Sequence, residues 1–270
     1  MHAYLKMRMD PSSPAVPIHY NYLIQAAIYA ALPEEIAARL HDQGFAAGKR
    51  IFKMFSFSRL TGRFILDKTE GTISFPGEIS FVITSPDTGF FLALINNLLT
   101  RGQIQVGQSL LLIDEIRFEE QVADGEVLTV RTLSPVVAYS TLLRPEGGKY
   151  TCYYQPGERE FDRLVTANLA KKYEAFYGRR PPEGEVRARP LDRPRLHVTA
   201  YKSTVVKGYT CRLKLQGPQD LLQLALDAGL GGKGSQGYGC VEKVARREGS
   251  RREAGSAVKK SRSSGSRWRR

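Results

Sequence analysis

Eleven residues near the C-terminal end, Gly229-Leu-Gly-Gly-Lys-Gly-Ser-Gln-Gly-Tyr-Gly239, contain six glycines. Glycine lets the backbone take positive φ and lets its amides approach a ligand with no Cβ in the way, so a phosphate or a nucleic-acid backbone is the natural guest. Lys233, Ser235 and Gln236 add a cation and two hydrogen-bonding groups to the same stretch. Gly229-x-Gly231-x-x-Gly234 has dinucleotide-loop spacing, but that loop runs from strand to glycines to helix. Here an apolar helical pattern over 218–228 precedes the glycines and a strand pattern over 238–244 follows them. A P-loop fails as well, because Asp227 stands where its first glycine belongs and Gly234 replaces the Ser or Thr after Lys233. The plainer reading is a flexible turn joining two elements.

Histidine is the other carrier of chemistry at neutral pH, since it serves as acid or base near pH 7. Four are present: His2, His19, His41 and His197. His41 falls at the edge of a helical apolar stripe, one residue past Leu40. A lone histidine in such a place is usually a structural side chain. Cys152, Cys211 and Cys240 lie far apart with no C-x-x-C pair, and no Asp/Glu or Cys/His set clusters along the chain. No metal site and no cofactor are therefore expected, and the cysteine usage suits a reducing cytoplasm.

The elements that must hold these residues follow from periodicity. Residues 2–9 alternate as a strand, with Ala3, Leu5, Met7 and Met9 on one face. Helical spacing runs over 19–32, with Tyr22, Gln25 and Tyr29 sharing a flank, and resumes after Pro33 over 34–43. Strands are expected over 51–57, 63–66 and 72–84, then a helix from Asp87-Thr88 to Gly102, then closing strands over 104–118. The order repeats: a strand over 127–137, a helix over 158–177, a Pro-Pro linker at 180–184, a strand pair over 196–202 and 208–215, and finally the helix, the glycines and the last strand. Each half is thus βαββαβ, an α+β arrangement of two tandem ferredoxin-like domains, 1–122 and 123–244, in which a sheet is covered on one face by helices.

The chain of 270 residues is 42% hydrophobic, enough for real cores. Its formal charge is +13, of which residues 245–270 supply +8 from ten Lys/Arg against Glu248 and Glu253. Such a Ser/Gly/Arg/Lys tail cannot bury enough apolar surface to order itself, so disorder is expected there. A basic balance without an amphipathic anchor or a membrane-length apolar run points to nucleic acid rather than to a membrane, and no signal peptide is expected.

Two ferredoxin-like halves that end in helix, G-x-G-x5-G-x-G and strand resemble the RAMP superfamily of CRISPR systems, with the loop matched at Gly229, Gly231, Gly237 and Gly239. The run Pro17-Ile18-His19-Tyr20-Asn21-Tyr22-Leu23 through Tyr29, then Leu40-His41, then Lys53-Met54-Phe55-Ser56-Phe57-Ser58, resembles the CRISPR-associated endoribonuclease of family six, as does Leu133-Ser134-Pro135. The resemblance covers nearly the whole chain apart from the tail. It implies a metal-independent nuclease that cuts CRISPR precursor RNA within each repeat, with Tyr29, His41 and Lys53 as the catalytic groups and Lys49 competing for the lysine role. It also implies RNA contacts through Lys49, Lys233, Ser235, Gln236 and the four matched glycines.

RNA carries its own nucleophile, the 2'-OH, so cutting needs a base, an acid for the departing 5'-oxygen and a cation for the charge on phosphorus. A histidine, a tyrosine and a lysine suffice. Two other readings stay open at this point: a non-catalytic RNA-binding subunit of a CRISPR effector complex, which would not need His41, and an unrelated ferredoxin-like domain. Effector subunits are a further partner class, and the protein is expected as a monomer or homodimer.

Overall fold

The computed structural model describes residues 1–244. The expectation of a disordered basic tail falls on 245–270 and lies outside the described residues. In the first half, β1 (His2–Met9) turns Ala3, Leu5 and Met7 into the core. Helices α1 (Asn21–Ala30) and α2 (Glu34–Asp42) follow, separated at Pro33, whose missing N–H and fixed φ suit a helix start rather than a helix interior. Next come β2 (Ser56–Phe57), β3 (Ile79–Thr84), α3 (Thr88–Arg101), β4 (Gln103–Val106) and β5 (Ser109–Glu119). Asp87 caps α3 by accepting from the Phe90 amide, and Gly102 ends it at φ 62°, as the expected start and stop of this helix require. The sheet order is β4-β5-β1-β3-β2, with β1 antiparallel to both neighbours. Ile24, Ile28, Leu40, Phe55, Phe57, Phe90 and Phe91 pack in its core.

In the second half β6 (Val127–Thr132), the hairpin β7 (Ala138–Leu143) and β8 (Lys149–Tyr154), α4 (Arg159–Tyr177), β9 (Arg187–Pro190), the hairpin β10 (Arg195–Tyr201) and β11 (Thr204–Thr210), β12 (Arg212–Gln216), α5 (Gln219–Ala228) and β13 (Val241–Lys243) follow in turn. Its sheet runs β9-β12-β6-β13, and Phe161, Val165 and Leu169 of α4 pack with Leu221, Leu222 and Ala225 of α5 beneath it. Both sheets have the ferredoxin-like strand order, so the tandem α+β architecture is as expected.

Several strands differ from expectation. The expected strand over 51–57 is broken: Arg50–Phe52 pairs with Phe45–Ala47, the chain turns at Met54 with φ 51°, and β2 begins at Ser56. The turn exists because the chain crosses between cores here, Met54 packing into the second and Phe55 into the first. The expected strand over 72–84 divides at Pro76-Gly77 into a small ladder at Thr72–Ser74 and β3. The strand expected over 127–137 stops at Thr132, and the β7–β8 hairpin beyond it was not anticipated. The expected pairing of 196–202 with 208–215 is also replaced. β10 pairs with β11 in a separate hairpin, while β12 pairs with β6 and with the edge strand β9. Pro190 in β9 lacks an amide donor, which restricts that strand to an edge.

Candidate active site and the glycine-rich wall

A cleft of about 890 Å³ opens beside α1 and α2. The flank of α1 supplies Tyr22, Gln25 and Tyr29, the last turn of α2 supplies His41, and the break before β2 supplies Lys53. Ser235 and Gln236 close one side, and Tyr201 and Lys202 reach in from the tip of the β10–β11 hairpin. The rings of Tyr29 and His41 meet edge to face, with centroids 6.2 Å apart. His41 is 77% exposed, and its Nδ1 lies 2.8 Å from Asp42 Oδ1.

Lys53 Nζ donates to the carbonyl oxygens of Leu40 and His41, both at 2.5 Å. These carbonyls belong to the end of α2, where the helix leaves acceptors unpaired and its dipole favours a cation. The ammonium therefore pins the backbone of His41 and keeps its third N–H donor for the cleft. Burial pulls the Lys53 pKa below the ordinary lysine value, with Asp42 opposing. Burial pushes the Tyr29 hydroxyl up to about 12, and Tyr201 adds to the shift. The hydroxyl is consequently protonated at neutral pH.

The structure brings Tyr29, His41 and Lys53 to one cleft and leaves Lys49 out of its lining, on the exposed turn between Ala47 and Arg50. Sequence reading missed Tyr201 and Lys202, because nothing local to a hairpin tip says which distant cleft it enters. Tyr201 donates to Gln25 Oε1 and so ties that hairpin to α1. The other histidines have structural partners: Nε2 of His2 lies 3.3 Å from the Val241 carbonyl, Nδ1 of His19 3.4 Å from the Ala200 amide, and Nε2 of His197 2.8 Å from Thr210 Oγ1. Among the described residues no group of three or more His, Cys, Asp or Glu side chains gathers as a metal site, and no helix is long and apolar enough to cross a membrane.

The glycines have a packing reason that their spacing did not suggest. Gly229, Gly231, Gly237 and Gly239 are buried, all with positive φ. A Cβ on Gly229 would stand 2.8 Å from Ser56 Oγ, one on Gly231 2.6 Å from the Val137 carbonyl, and one on Gly239 on top of the Leu230 carbonyl. The space a side chain would need at these positions is filled by protein. Residues 232–236 are the partly exposed part, and Lys233, Ser235 and Gln236 face open clefts.

The wall is anchored at both ends. The α4 residue Lys172, 4% exposed, donates to the carbonyls of Ala228, Gly229 and Gly231 at 2.9, 2.7 and 3.3 Å, and its burial pulls its pKa down to about 7. Asn21, at the start of α1, donates to Gln236 O at 3.0 Å and Gly237 O at 3.3 Å. The glycine segment thus leaves α5, is gripped by α4, and is gripped again by α1 of the other half.

Two tandem ferredoxin-like halves clasped by a C-terminal glycine segment are a fold shared with a solved RAMP protein, at a TM-score of 0.74 and 17% identity over 91% of this chain and 100% of that one. The description "CRISPR-associated protein Cas6, N-terminal" matches residues 15–117, and "CRISPR associated protein Cas6, C-terminal" matches residues 118–243. The chain belongs to the Cas6 family. It is 27% identical over 257 residues to CRISPR-associated endoribonuclease Cas6 1 of Methanocaldococcus jannaschii, covering 90% of this chain and 93% of that one. It is also 27% identical over 243 residues to CRISPR-associated endoribonuclease Cas6 of Pyrococcus furiosus, covering 84% and 83%. The solved structure of a Cas6-related gene product from Pyrococcus furiosus shares the fold, with a TM-score of 0.78 at 17% identity over 92% of this chain and 99% of that one.

Proposed function

We propose that this protein is an endoribonuclease that cuts CRISPR precursor RNA within its repeat, through the RNA's own 2'-OH and without a metal ion. The observation that carries the reading is the convergence of Tyr29, His41 and Lys53, in which Lys53 holds the backbone of the very residue whose ring meets Tyr29. The relatives named above are endoribonucleases by name, which supports RNA cleavage as the chemistry.

In this scheme a base takes the proton of the 2'-OH, whose oxygen attacks the adjacent phosphorus. The P–O5' bond breaks, and the departing oxygen takes a proton. The products are a 2',3'-cyclic phosphate and a 5'-hydroxyl. His41 is the exposed acid–base group. The free N–H of Lys53 faces the charge that develops on the phosphoryl oxygens. Tyr29, with its raised pKa, donates a hydrogen bond and orients the reacting ribose rather than acting as a base. These groups come from residues 1–122, while Ser235 and Gln236 of residues 123–244 close the other side of the cleft, and Lys233 of the same glycine segment and Lys49 of the exposed turn before Arg50 contribute further contacts to the RNA backbone.

The test is a repeat RNA with deoxyribose just upstream of the cut, assayed in chelator beside the unmodified RNA. The substitution should block cleavage and leave binding nearly intact, and His41→Ala should slow cutting of the normal RNA by roughly 10²- to 10⁴-fold. Efficient cutting of the deoxy RNA at the same bond would refute the mechanism.

A further inference from the structure

Lys172 of α4 is a buried lysine that the cleavage scheme does not use. Among the described residues it forms no ion pair. Its burial pulls its pKa down to about 7, a cost to the fold that an apolar side chain of the same length would not carry. What the ammonium gains is three acceptors: Nζ donates to the carbonyls of Ala228, Gly229 and Gly231 at 2.9, 2.7 and 3.3 Å. These carbonyls lie where α5 ends, at the terminus that leaves helix acceptors unpaired. An ammonium carries three N–H donors on one atom, so a single lysine can hold three converging carbonyls.

The grip has a packing path to the cleavage cleft. Gly234 lies flush between one of the held carbonyls and the chain that carries Lys53: a Cβ added there would stand 3.3 Å from Ala228 O and 3.0 Å from Phe55 O. Gly229, whose carbonyl Lys172 also holds, lies equally close to Ser56. Residues Gly234–Gln236 form one 3-10 turn, closed by the Gly237 amide donating to Gly234 O at 2.9 Å. Ser235 and Gln236 of that turn line the cleavage cleft with His41 and Lys53. At such packing density the segment cannot shift without moving Ser235 and Gln236 or the backbone next to Lys53.

We propose that Lys172 is a positioning residue for RNA cleavage: without touching RNA, it fixes the glycine segment so that Ser235 and Gln236 keep a set place opposite His41 and Lys53. The role rests on the proposed nuclease function.

The test compares the full chain with Lys172→Met, which keeps the side-chain length and removes the donors, and with Val165→Ala, a core change two turns earlier in α4. Thermal melting confirms folding. If Lys172→Met does not fold, Lys172→Gln, neutral with two N–H donors, takes its place. Single-turnover cleavage of fully bound repeat RNA should be roughly 10- to 100-fold slower in Lys172→Met, the scale of a misplacement of about 1 Å, and unchanged in folded Val165→Ala. Affinity for that RNA should stay within about threefold of wild type, with the same slope against log salt. A slope lower by about 0.7 to 0.9 would make Lys172 a phosphate contact and overturn the proposal. A wild-type rate in folded Lys172→Met, or an equal loss in Val165→Ala, would overturn it too. Hydrogen exchange gives a readout that needs no cleavage: the amides of Leu230 and Gly239, bonded to Gly239 O and Pro135 O at 2.8 and 2.9 Å, should exchange faster in Lys172→Met. Unchanged exchange refutes the grip, whereas a wild type that cuts no repeat RNA refutes the nuclease reading, and either can fail alone.

Discussion

Gly237→Ala tests whether the glycine segment is a packed clasp between the two halves or a turn that merely joins α5 to β13. Gly237 has φ +85°, where a residue with a Cβ pays about 1–2 kcal/mol. The added Cβ would also stand 2.7 Å from Asn21 Nδ2 and 2.8 Å from Phe57 Cζ. Phe57 is fully buried and Asn21 is bonded to the loop's own carbonyls, so neither can yield freely, and forced overpacking costs about 1–3 kcal/mol more. The total of about 2–5 kcal/mol corresponds to a fall in melting temperature of roughly 4–20 °C for a chain of this size. Gly232→Ala is the matched control five residues earlier. Gly232 is not among the glycines with positive φ, and its nearest neighbour to an added Cβ is Tyr139 Cε1 at 3.5 Å. That variant should melt within about 1 kcal/mol of wild type, or slightly higher because alanine restricts the unfolded chain. Circular dichroism melts of the three proteins, with urea titrations alongside, decide the matter. If Gly237→Ala and Gly232→Ala both melt with the wild type, the wall is a linker and the packing argument is wrong.

Lys53→Ala should slow single-turnover cleavage of repeat RNA by roughly 10²-fold or more, whereas Lys49→Ala should leave the rate of bound RNA unchanged; the opposite ranking would move the cationic role to the exposed turn. Tyr29→Phe should lower the rate by the same factor from about pH 6 to about pH 9, since a hydroxyl raised to about 12 stays protonated throughout that range. A defect that grows with pH would mean that Tyr29 works as a titrating base. Removing residues 245–270 should weaken binding to repeat and random RNA alike and flatten its salt dependence, because that segment carries +8 of the chain's +13. Loss of discrimination between the two RNAs would show that the tail reads sequence.

How much of this was legible in the chain depends on how far each feature reaches. Apolar spacing is a local property, so the buried face of β1, the stripes of α1 and α2, and the start and stop of α3 at Asp87 and Gly102 could be read directly, as could the repeated βαββαβ order. The order of helix, glycines and strand around Gly229 and Gly239 likewise excluded two phosphate loops without any coordinates. Partners in space are not local. The pairing of β12 with β9 rather than with its neighbour β11 depends on which distant edge is free. The β7–β8 hairpin exposes Leu142, Leu143 and Tyr150, so no apolar face marks it in the sequence. Tertiary structure likewise chose Lys53 over Lys49 as the lysine that enters the cleft, through two carbonyls that exist as acceptors only because α2 ends at Asp42. It also decided what the conspicuous glycines are for. Their spacing is a sequence property, but the atoms that crowd them, from Ser56, Phe57, Val137 and Leu230, arrive from strands and loops up to 180 residues away and fill the space that a side chain would need.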